Sequence, residues 1–350
     1  MRVLPRAVSH RFMHLRPRER PAAPRRILIA HHLLAGDVLM LTPLIAKLRE
    51  QHADAEIVLA VRRAVASLYS SRPYGVRALV YEPREPATLD SFFEGPGFDL
   101  AVVPGDNRYS WLAAAAGARW IVAFAGDRPA VKSWPVDELK PFPSAPAAWS
   151  DMATRLVDGP APRAFRTADW PAPAFVPFER PGGRYAVLHV EASTPLKYWN
   201  DAGWSFLGAF LYENGVQPIW SAGPAGGDLL RRIDPSSRFP ALGHTLDLAQ
   251  LWHLVAGAAL LVCPDTSVMH IGRLTATPTI ALFGPSSAQL YGAGDFWRDV
   301  PFRALQIADR QGGARQVLFK REIAAPDQCV KAIDAVAVAR IALDCARHAV

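Results

Sequence analysis

The stretch CPDTSVMHIGRLTATPTIALFGPSSAQLYG, residues 263–292, predicts two buried strands joined by a polar elbow and a short helix. The apolar run 259–263 precedes the elbow, and the run 279–283 follows the helix and stops at a Gly-Pro pair. Unbroken apolar runs of this length are typical of parallel strands that are covered on both faces. The elbow consists of residue types that cap helices, namely Asp265, Thr266 and Ser267.

An elbow of this kind favours ligand binding. In an open parallel sheet, ligands bind at the carboxyl ends of the strands, and a helix N-terminus there attracts phosphate. Two simpler interpretations stay open: the elbow is only a helix cap, and His270 is only a core histidine. Asp265 and His270 have no further Cys, His or carboxylate at ligand spacing, so we predict no metal site.

Composition suggests two cytoplasmic domains. The chain has 350 residues, half of them hydrophobic, which is enough for two cores. Its three cysteines form no C-x-x-C pair, so neither a disulfide framework nor a zinc site is indicated, and a reducing compartment fits. The formal net charge of +7 favours an anionic partner such as a nucleotide, a phosphorylated lipid or a membrane surface.

The basic charge is concentrated at the start of the chain. Residues 1–26 hold eight arginines and one acidic residue, Glu19, with prolines between them. No apolar h-region follows, so the segment is not a secretory signal. We predict a disordered basic tail over 1–25; contact with a membrane surface or with nucleic acid is the alternative.

From residue 26 onward, apolar strand patterns alternate with helical ones, which is typical of doubly wound α/β sheets. The predicted strands are 26–30, 56–61, 78–81, 98–103 and 120–124 in the first half, and 185–190, 217–221, 259–263 and 279–283 in the second. We therefore expect two Rossmann-like domains, 26–130 and 184–325, that face a central cleft. A Pro-rich linker, 131–183, joins them, and a helix within 326–350 packs back across the domains.

Several common nucleotide and hydrolase motifs are missing. The first strand is not followed by G-x-G-x-x-G, and the chain has no P-loop lysine, no G-x-S-x-G elbow and no paired metal-binding histidine motif. These absences disfavour a dehydrogenase, a P-loop NTPase and a hydrolase.

Four segments together resemble one family. They are GDVLMLTPLIAKLR (36–49), ASTPLKYW (192–199), SAGP (221–224) and DTSVMH…TPTIALFGP (265–285). In this order and at these distances they are similar to glycosyltransferase family nine, the ADP-heptose:lipopolysaccharide heptosyltransferases, which have the GT-B fold. The resemblance covers about residues 26–345.

The resemblance implies a cytoplasmic, inverting and metal-independent glycosyltransferase without a cofactor. Its donor would be a nucleotide sugar, ADP-heptose, and its acceptor a lipopolysaccharide core at the inner-membrane surface; nucleic acid would not be a partner. The family's catalytic base is the aspartate of the Gly-Asp pair, here Asp37. A carboxylate that removes the proton of an acceptor hydroxyl makes it a better nucleophile. The simpler interpretation is that Asp37 caps a helix.

The resemblance also assigns binding residues. Lys197 would place a point charge near the donor's diphosphate, where negative charge grows as the bond to the sugar breaks. The remaining candidates for donor binding are Thr194, Asp265, Thr266, Ser267 and His270. Candidates for acceptor binding are Gly36, Arg62 and Arg63, although arginines at such positions are also typical of a solvated surface.

The chain departs from the family pattern at three places, of which the first two keep a second hypothesis open. Ser267 stands where the family usually has glycine, Glu191 precedes the lysine segment in place of a small residue, and SAGPAGG lacks an acidic residue that often follows this turn. A catalytically silent member that binds nucleotide sugar or core lipid in an assembly complex would tolerate these changes. A Rossmann-type dehydrogenase is a third hypothesis, which preferential binding of NAD would favour.

Overall fold

The computed structural model describes residues 3–12, 18–144, 147–223, 225–242, 245–306 and 330–348. Of these, unit 1 holds the residues up to 163 and Asp169–Pro171, and unit 2 holds Ala164–Ala168 and the residues from 172 onward. Pro224 of the SAGP segment lies outside the described residues, as do parts of the predicted tail, of the second domain and of the C-terminal segment.

Unit 1 is built on a six-stranded parallel sheet in the order β3-β2-β1-β4-β5-β6. Its strands are β1 (Arg26–Ile29), β2 (Glu56–Val61), β3 (Arg77–Val80), β4 (Phe98–Val103), β5 (Ala118–Phe124) and β6 (Glu138–Lys140). Central strands such as β1 and β2 are buried almost throughout, as their unbroken apolar runs predict.

Short helices connect these strands: α1 (Val3–Phe12), α2 (Ala35–Leu39), α3 (Thr42–Gln51), α4 (Arg63–Ala66), α5 (Asp90–Phe93), α6 (Ser110–Ala115) and α7 (Trp149–Ala153). In the apolar stretch 38–41, Val38 and Leu39 end α2, and Met40 and Leu41 form the turn before α3. The Thr42 hydroxyl donates to the Leu39 carbonyl at 2.6 Å, and this bond joins the two helices.

The prediction of a disordered tail over 1–25 is wrong for residues 3–12, which form α1. Pro5 lies in the first helical turn, where its missing N–H breaks no hydrogen bond. The helix buries Ala7 against the small residues of α6. Arg11 donates to the carboxylate of Asp137 at 2.9 Å, and Arg18 donates to it at 3.2 Å, so two arginines tie the segment to unit 1.

The stretch 131–183, predicted to be a linker, is divided between the units. Strand β6 completes the first sheet, and α7 with the turn Thr154–Leu156 belongs to the same unit. The sequence prediction missed β6 because it is a three-residue edge strand with half-exposed side chains, which gives no apolar run.

Unit 2 is built on a five-stranded parallel sheet in the order β11-β10-β9-β7-β8. Its strands are β7 (Tyr185–His189), β8 (Gln217–Ser221), β9 (Leu260–Pro264), β10 (Thr279–Phe283) and β11 (Phe302–Gln306). Its helices are α8 (Asp201–Glu213), α9 (Gly227–Ile233), α10 (Leu248–Ala256), α11 (Ser267–Leu274), α12 (Ala288–Tyr291) and α13 (Ala335–His348). Strand β11 was not predicted, because it is largely exposed at the sheet edge.

The C-terminal helix packs within unit 2. Val338, Ala339 and Ala342 of α13 are buried in the cluster that contains Trp199 and Trp204. The indole of Trp199 also donates to the Ile333 carbonyl at 3.0 Å. The core of unit 2 is thus closed by its own last helix. None of the helices within the described ranges combines the length and apolar character needed to span a bilayer.

Each sheet buries a histidine beside its carboxyl edge. His189 ends β7, and its Nδ1 lies 3.0 Å from Oγ of Ser221, its register partner on β8. Burial lowers the pKa of His189 to about 4, against the opposing effect of a hydrogen bond to the Glu191 backbone. Burial, with the charge of His32, lowers the pKa of His31 to about 3. Both rings are neutral in the folded protein at neutral pH.

We predict that stability falls as the pH is lowered from about 7 to about 5, because the unfolded histidines take up protons near their ordinary pKa and the folded ones do not. Each contributes up to about 1.4 kcal/mol per pH unit. His189→Gln should flatten this dependence, measured as the free energy of unfolding in urea at several pH values. His348→Gln, at an exposed position, is the control. Equal slopes for all three proteins would contradict the prediction.

Candidate functional site

In unit 2 the polar elbow follows β9 as predicted. Thr266 is the residue before the first turn of α11, with extended φ and ψ of −148° and 167°, and its side chain makes no capping hydrogen bond. Ser267 is the first helical residue. The simple helix-cap interpretation therefore does not hold for the Thr266 side chain, and the first N–H groups of α11 remain available to an anion.

Lys197 is brought to this elbow from the loop after β7. It ends a single 3-10 turn, Pro195–Lys197, at whose start the Thr194 hydroxyl accepts from the Leu196 N–H. The Lys197 ammonium donates to the carboxylate of Asp265 and, at 3.3 Å, to the Asp265 carbonyl. The structure thus joins the predicted lysine and the predicted aspartate in one ion pair, whose side chains are only 14% and 9% exposed.

A third loop completes this arrangement. The Ser286 hydroxyl, which follows β10, donates to the same Asp265 oxygen as Lys197. The sequence analysis did not select Ser286, although the GPSS segment directly after a predicted buried strand was a usable signal. The group of Lys197, Asp265 and Ser286 is called the elbow cluster below.

His270 lies in α11 and is buried. Its Nδ1 lies 3.2 Å from the Arg273 guanidinium, which donates to it, and Arg273 stacks over the Phe302 ring at 4.0 Å. Burial, then the charges of Arg273 and Lys197, hold the pKa of His270 well below its usual value. Because His270 is neutral and accepts a hydrogen bond from Arg273, it is suited to orienting the helix.

In unit 1 the predicted residues follow adjacent strands. Gly36 and the buried Asp37 lie in the first turn of α2, after β1. Arg62 precedes α4, after β2, and its Nη2 lies 3.4 Å from Nδ1 of His32. Arg63 points elsewhere: its guanidinium pairs with Glu85, and it is largely exposed. The two predicted acceptor arginines therefore have different surroundings.

The sequence analysis missed an aromatic group beside Arg62. The His32 ring lies 5.7 Å from that of Tyr81 and 6.3 Å from that of Tyr109, and its Nε2 is 3.4 Å from the Glu82 carboxylate. Burial is the largest effect on His32 and lowers its pKa, although Glu82 opposes this. The signal was that Tyr81 directly follows β3 while His32 and Tyr109 lie in the segments after β1 and β4, since parallel strands end at one edge.

The two groups offer different chemistry. The elbow cluster and the start of α11 present a cation and N–H donors, which suit a diphosphate. The group in unit 1 presents a carboxylate, a guanidinium and aromatic rings, which suit a polar, partly anionic molecule with hydroxyls. Over the described part of the chain, no three His, Cys, Asp or Glu side chains are placed to hold a metal ion.

Comparison with known proteins finds similar sequences for the region around the elbow. The model of the family described as "Glycosyltransferase family 9 (heptosyltransferase)" matches residues 146–300. Lipopolysaccharide heptosyltransferase 1 of Pseudomonas aeruginosa is 30% identical over 115 residues, 32% of this chain and 32% of that protein. Lipopolysaccharide heptosyltransferase 3 of Escherichia coli is 28% identical over 137 residues, 35% of this chain and 40% of that protein. These alignments span less than half of either relative.

Solved structures match over a longer range. The E. coli ADP-heptose lipopolysaccharide heptosyltransferase II has a TM-score of 0.71 at 16% identity and covers 92% of this chain and 98% of its own. The E. coli heptosyltransferase WaaC with ADP has a TM-score of 0.70 at 16% identity, with coverages of 91% and 99%. At this identity the likeness shows the fold, and it confirms the predicted GT-B class with two parallel-sheet α/β units. Residues 146–300 of this chain are therefore similar to glycosyltransferase family 9.

Proposed function

We propose that the chain is an inverting, metal-independent glycosyltransferase of the cytoplasm that transfers heptose from ADP-heptose to a lipopolysaccharide core or related glycolipid. The observation that carries the proposal is the elbow cluster beside the uncapped start of α11. The match of the family model to this region and the names of the relatives support the choice of a sugar donor and lipopolysaccharide acceptor. No cofactor is needed for this reaction.

In the proposed donor site, Lys197 and the first N–H groups of α11 hold the diphosphate. An ammonium has three N–H donors, and the Asp265 carboxylate and carbonyl accept from it, which leaves donor capacity for a phosphate oxygen. Thr194, Thr266 and Ser267 add hydroxyl groups, and Asp265 fixes the lysine in place. His270, neutral and buried, holds Arg273 and the helix rather than adding charge.

In the proposed reaction, Asp37 takes the proton of an acceptor hydroxyl as its oxygen attacks the anomeric carbon. The bond from that carbon to the diphosphate oxygen breaks, ADP leaves with the electron pair, and the single displacement inverts the anomeric centre. Gly36 directly precedes this base and Arg62 follows the neighbouring strand β2, and both would contact the acceptor. Arg63, paired with Glu85, would contribute at the rim.

We also propose that α1 contacts an anionic membrane surface. Leu4 and Val8, four residues apart on one face of the helix, are 57% and 39% exposed, whereas Ala7 is buried. The helix contains no acidic residue, and Arg6 lies over the Phe93 ring with its guanidinium 4.4 Å from the ring centre. An anchored helix with exposed apolar side chains and basic neighbours suits an anionic lipid interface.

Lys197→Ala is expected to weaken ADP binding about 10- to 100-fold, because a charge-assisted hydrogen bond to phosphate is lost. Affinity for adenosine should change little, since adenosine carries no phosphate. Titration calorimetry measures both, with Lys331→Ala as a control at an exposed lysine of unit 2. An unchanged ADP affinity, or an equal loss for adenosine, would remove Lys197 from the diphosphate site.

Asp37→Asn is expected to lower transfer at least about 100-fold while leaving ADP binding intact, because the amide cannot accept the hydroxyl proton. Product formation from ADP-heptose on a truncated lipopolysaccharide measures this, with Asp54→Asn as a control at an exposed aspartate. Full turnover by Asp37→Asn would exclude this base.

Binding of ADP by the unmodified chain without any transfer would favour the silent binding protein, and tighter binding of UDP, GDP or NAD would exclude the ADP-sugar.

Leu4→Ser combined with Val8→Ser is expected to lower binding to vesicles that contain phosphatidylglycerol by about 5-fold or more, because apolar burial at the interface is lost. Vesicle sedimentation measures this, and vesicles of phosphatidylcholine alone should bind weakly in every case. Val336→Ser, at an exposed position on α13, is the matched control. Equal binding of the double variant and the unmodified chain would exclude α1 as the contact.

A further inference from the structure

Glu191 lies at the carboxyl edge of the second sheet. The preceding residue, Val190, still donates its N–H to the Ser221 carbonyl at 2.9 Å, so the pairing of β7 with β8 continues up to Glu191. The residue is half-buried, and its Oε2 atom is closed to solvent. Within the described part of the chain, this oxygen has no hydrogen-bond partner.

The carboxylate is held against the glycine turn that follows β8. A Cβ atom added at Gly226 would lie 2.6 Å from Oε2, and one added at Gly223 would lie 3.1 Å from it. A side chain at Gly226 would also collide with Ala222. The two glycines thus leave the space that the carboxylate occupies.

A buried oxygen without a partner is unfavourable, so the Glu191 side chain gains stability if it turns from the two glycines toward a hydrogen-bond donor at this edge of the sheet. A carboxylate oxygen accepts hydrogen bonds, and buried polar atoms in folded proteins are almost always paired. A phosphate would be repelled by this carboxylate, whereas a pair of sugar hydroxyls supplies two O–H donors. An uncharged hydrogen-bond donor therefore fits Glu191, and a vicinal diol is the group of a nucleotide sugar that can donate to both oxygens of one carboxylate.

The strand order places such a diol beside the proposed diphosphate site. In the order β9-β7-β8, the elbow follows β9, Glu191 follows β7 and the glycine turn follows β8. Neighbouring strands lie about 4.8 Å apart, so the elbow and Glu191 are separated by roughly one strand spacing along the edge. In a nucleotide sugar, the ribose and the transferred sugar are both bonded directly to the diphosphate.

We propose that Glu191 binds a vicinal diol of the nucleotide sugar, as a specificity residue of the proposed donor site. The inference rests on the proposed function for its ligand. The diol belongs either to the ribose of the nucleotide or to the transferred sugar. The two sources are distinguished by whether the affinity for ADP or only the affinity for ADP-heptose depends on Glu191.

The test is titration calorimetry on the full chain with ADP and 2′-deoxy-ADP. The unmodified chain should prefer ADP by about 10-fold or more, because a site built to bond a hydroxyl rejects the analogue that lacks it. Glu191→Ala and Glu191→Gln should reduce this preference, with affinity for 2′-deoxy-ADP changed less than about 2-fold. Glu213→Gln, at an exposed glutamate of unit 2, is the matched control.

If the diol belongs to the transferred sugar, both nucleotides bind alike, and the Glu191 variants lose affinity for ADP-heptose alone. The nucleotide-free melting temperature of Glu191→Ala should be unchanged or higher, since the variant removes an unpaired buried oxygen; a clear decrease would indicate a structural role instead. Retention of both the ADP preference and the ADP-heptose affinity by the variants overturns the role of Glu191 alone. Failure of the unmodified chain to bind any nucleotide overturns the proposed function as well.

Discussion

The ion pair of Lys197 with Asp265 is the interaction on which the loops at the carboxyl edge of the second sheet depend. It joins the loop after β7 to the elbow after β9, and the Ser286 hydroxyl adds the loop after β10. Burying two charges is favourable only when their geometry and additional hydrogen bonds offset the loss of hydration. Here the ammonium also donates to the Asp265 carbonyl, and the Ser286 hydroxyl donates to the Asp265 carboxylate. Three loops are thereby fixed relative to the start of α11.

Most of the strands that the sequence predicted are buried, and burial requires an apolar run in the sequence. Strand β3 is half-exposed at the sheet edge and was predicted from the apolar run 78–81. Strands β7 and β9 are buried along their whole length and appear as unbroken apolar runs. Strands β6 and β11 lie at sheet edges with half-exposed or exposed residues, so the same criterion does not detect them. The order of the strands in each sheet cannot be predicted from apolar runs, because it depends on how each connection crosses the sheet.

The sequence predicted which polar residues lie at the carboxyl edges of the sheets but not which contacts they make. Parallel strands end at one edge, so polar residues directly after predicted strands were placed correctly near one another. Lys197 was expected to face phosphates as a point charge, and the structure adds its pairing with Asp265. Glu191 was noted only as a departure from the family pattern, and the structure places its carboxylate against Gly223 and Gly226. These contacts depend on side-chain directions and strand neighbours, which spacing along the chain does not specify.

The basic tail shows that ion pairs, too, cannot be predicted from the local sequence. Local composition predicted a solvated, disordered segment, but Asp137, the partner of Arg11, lies 126 positions away, directly before the last strand of the first sheet. Asp137 accepts from both Arg11 and Arg18, and Arg20 pairs with Glu138 and Asp158. Part of the charge at this end of the chain is therefore already used to hold the segment on unit 1. A membrane surface would then be recognised less by the number of arginines than by the exposed Leu4 and Val8, which α1 presents because Ala7 and the arginines anchor it.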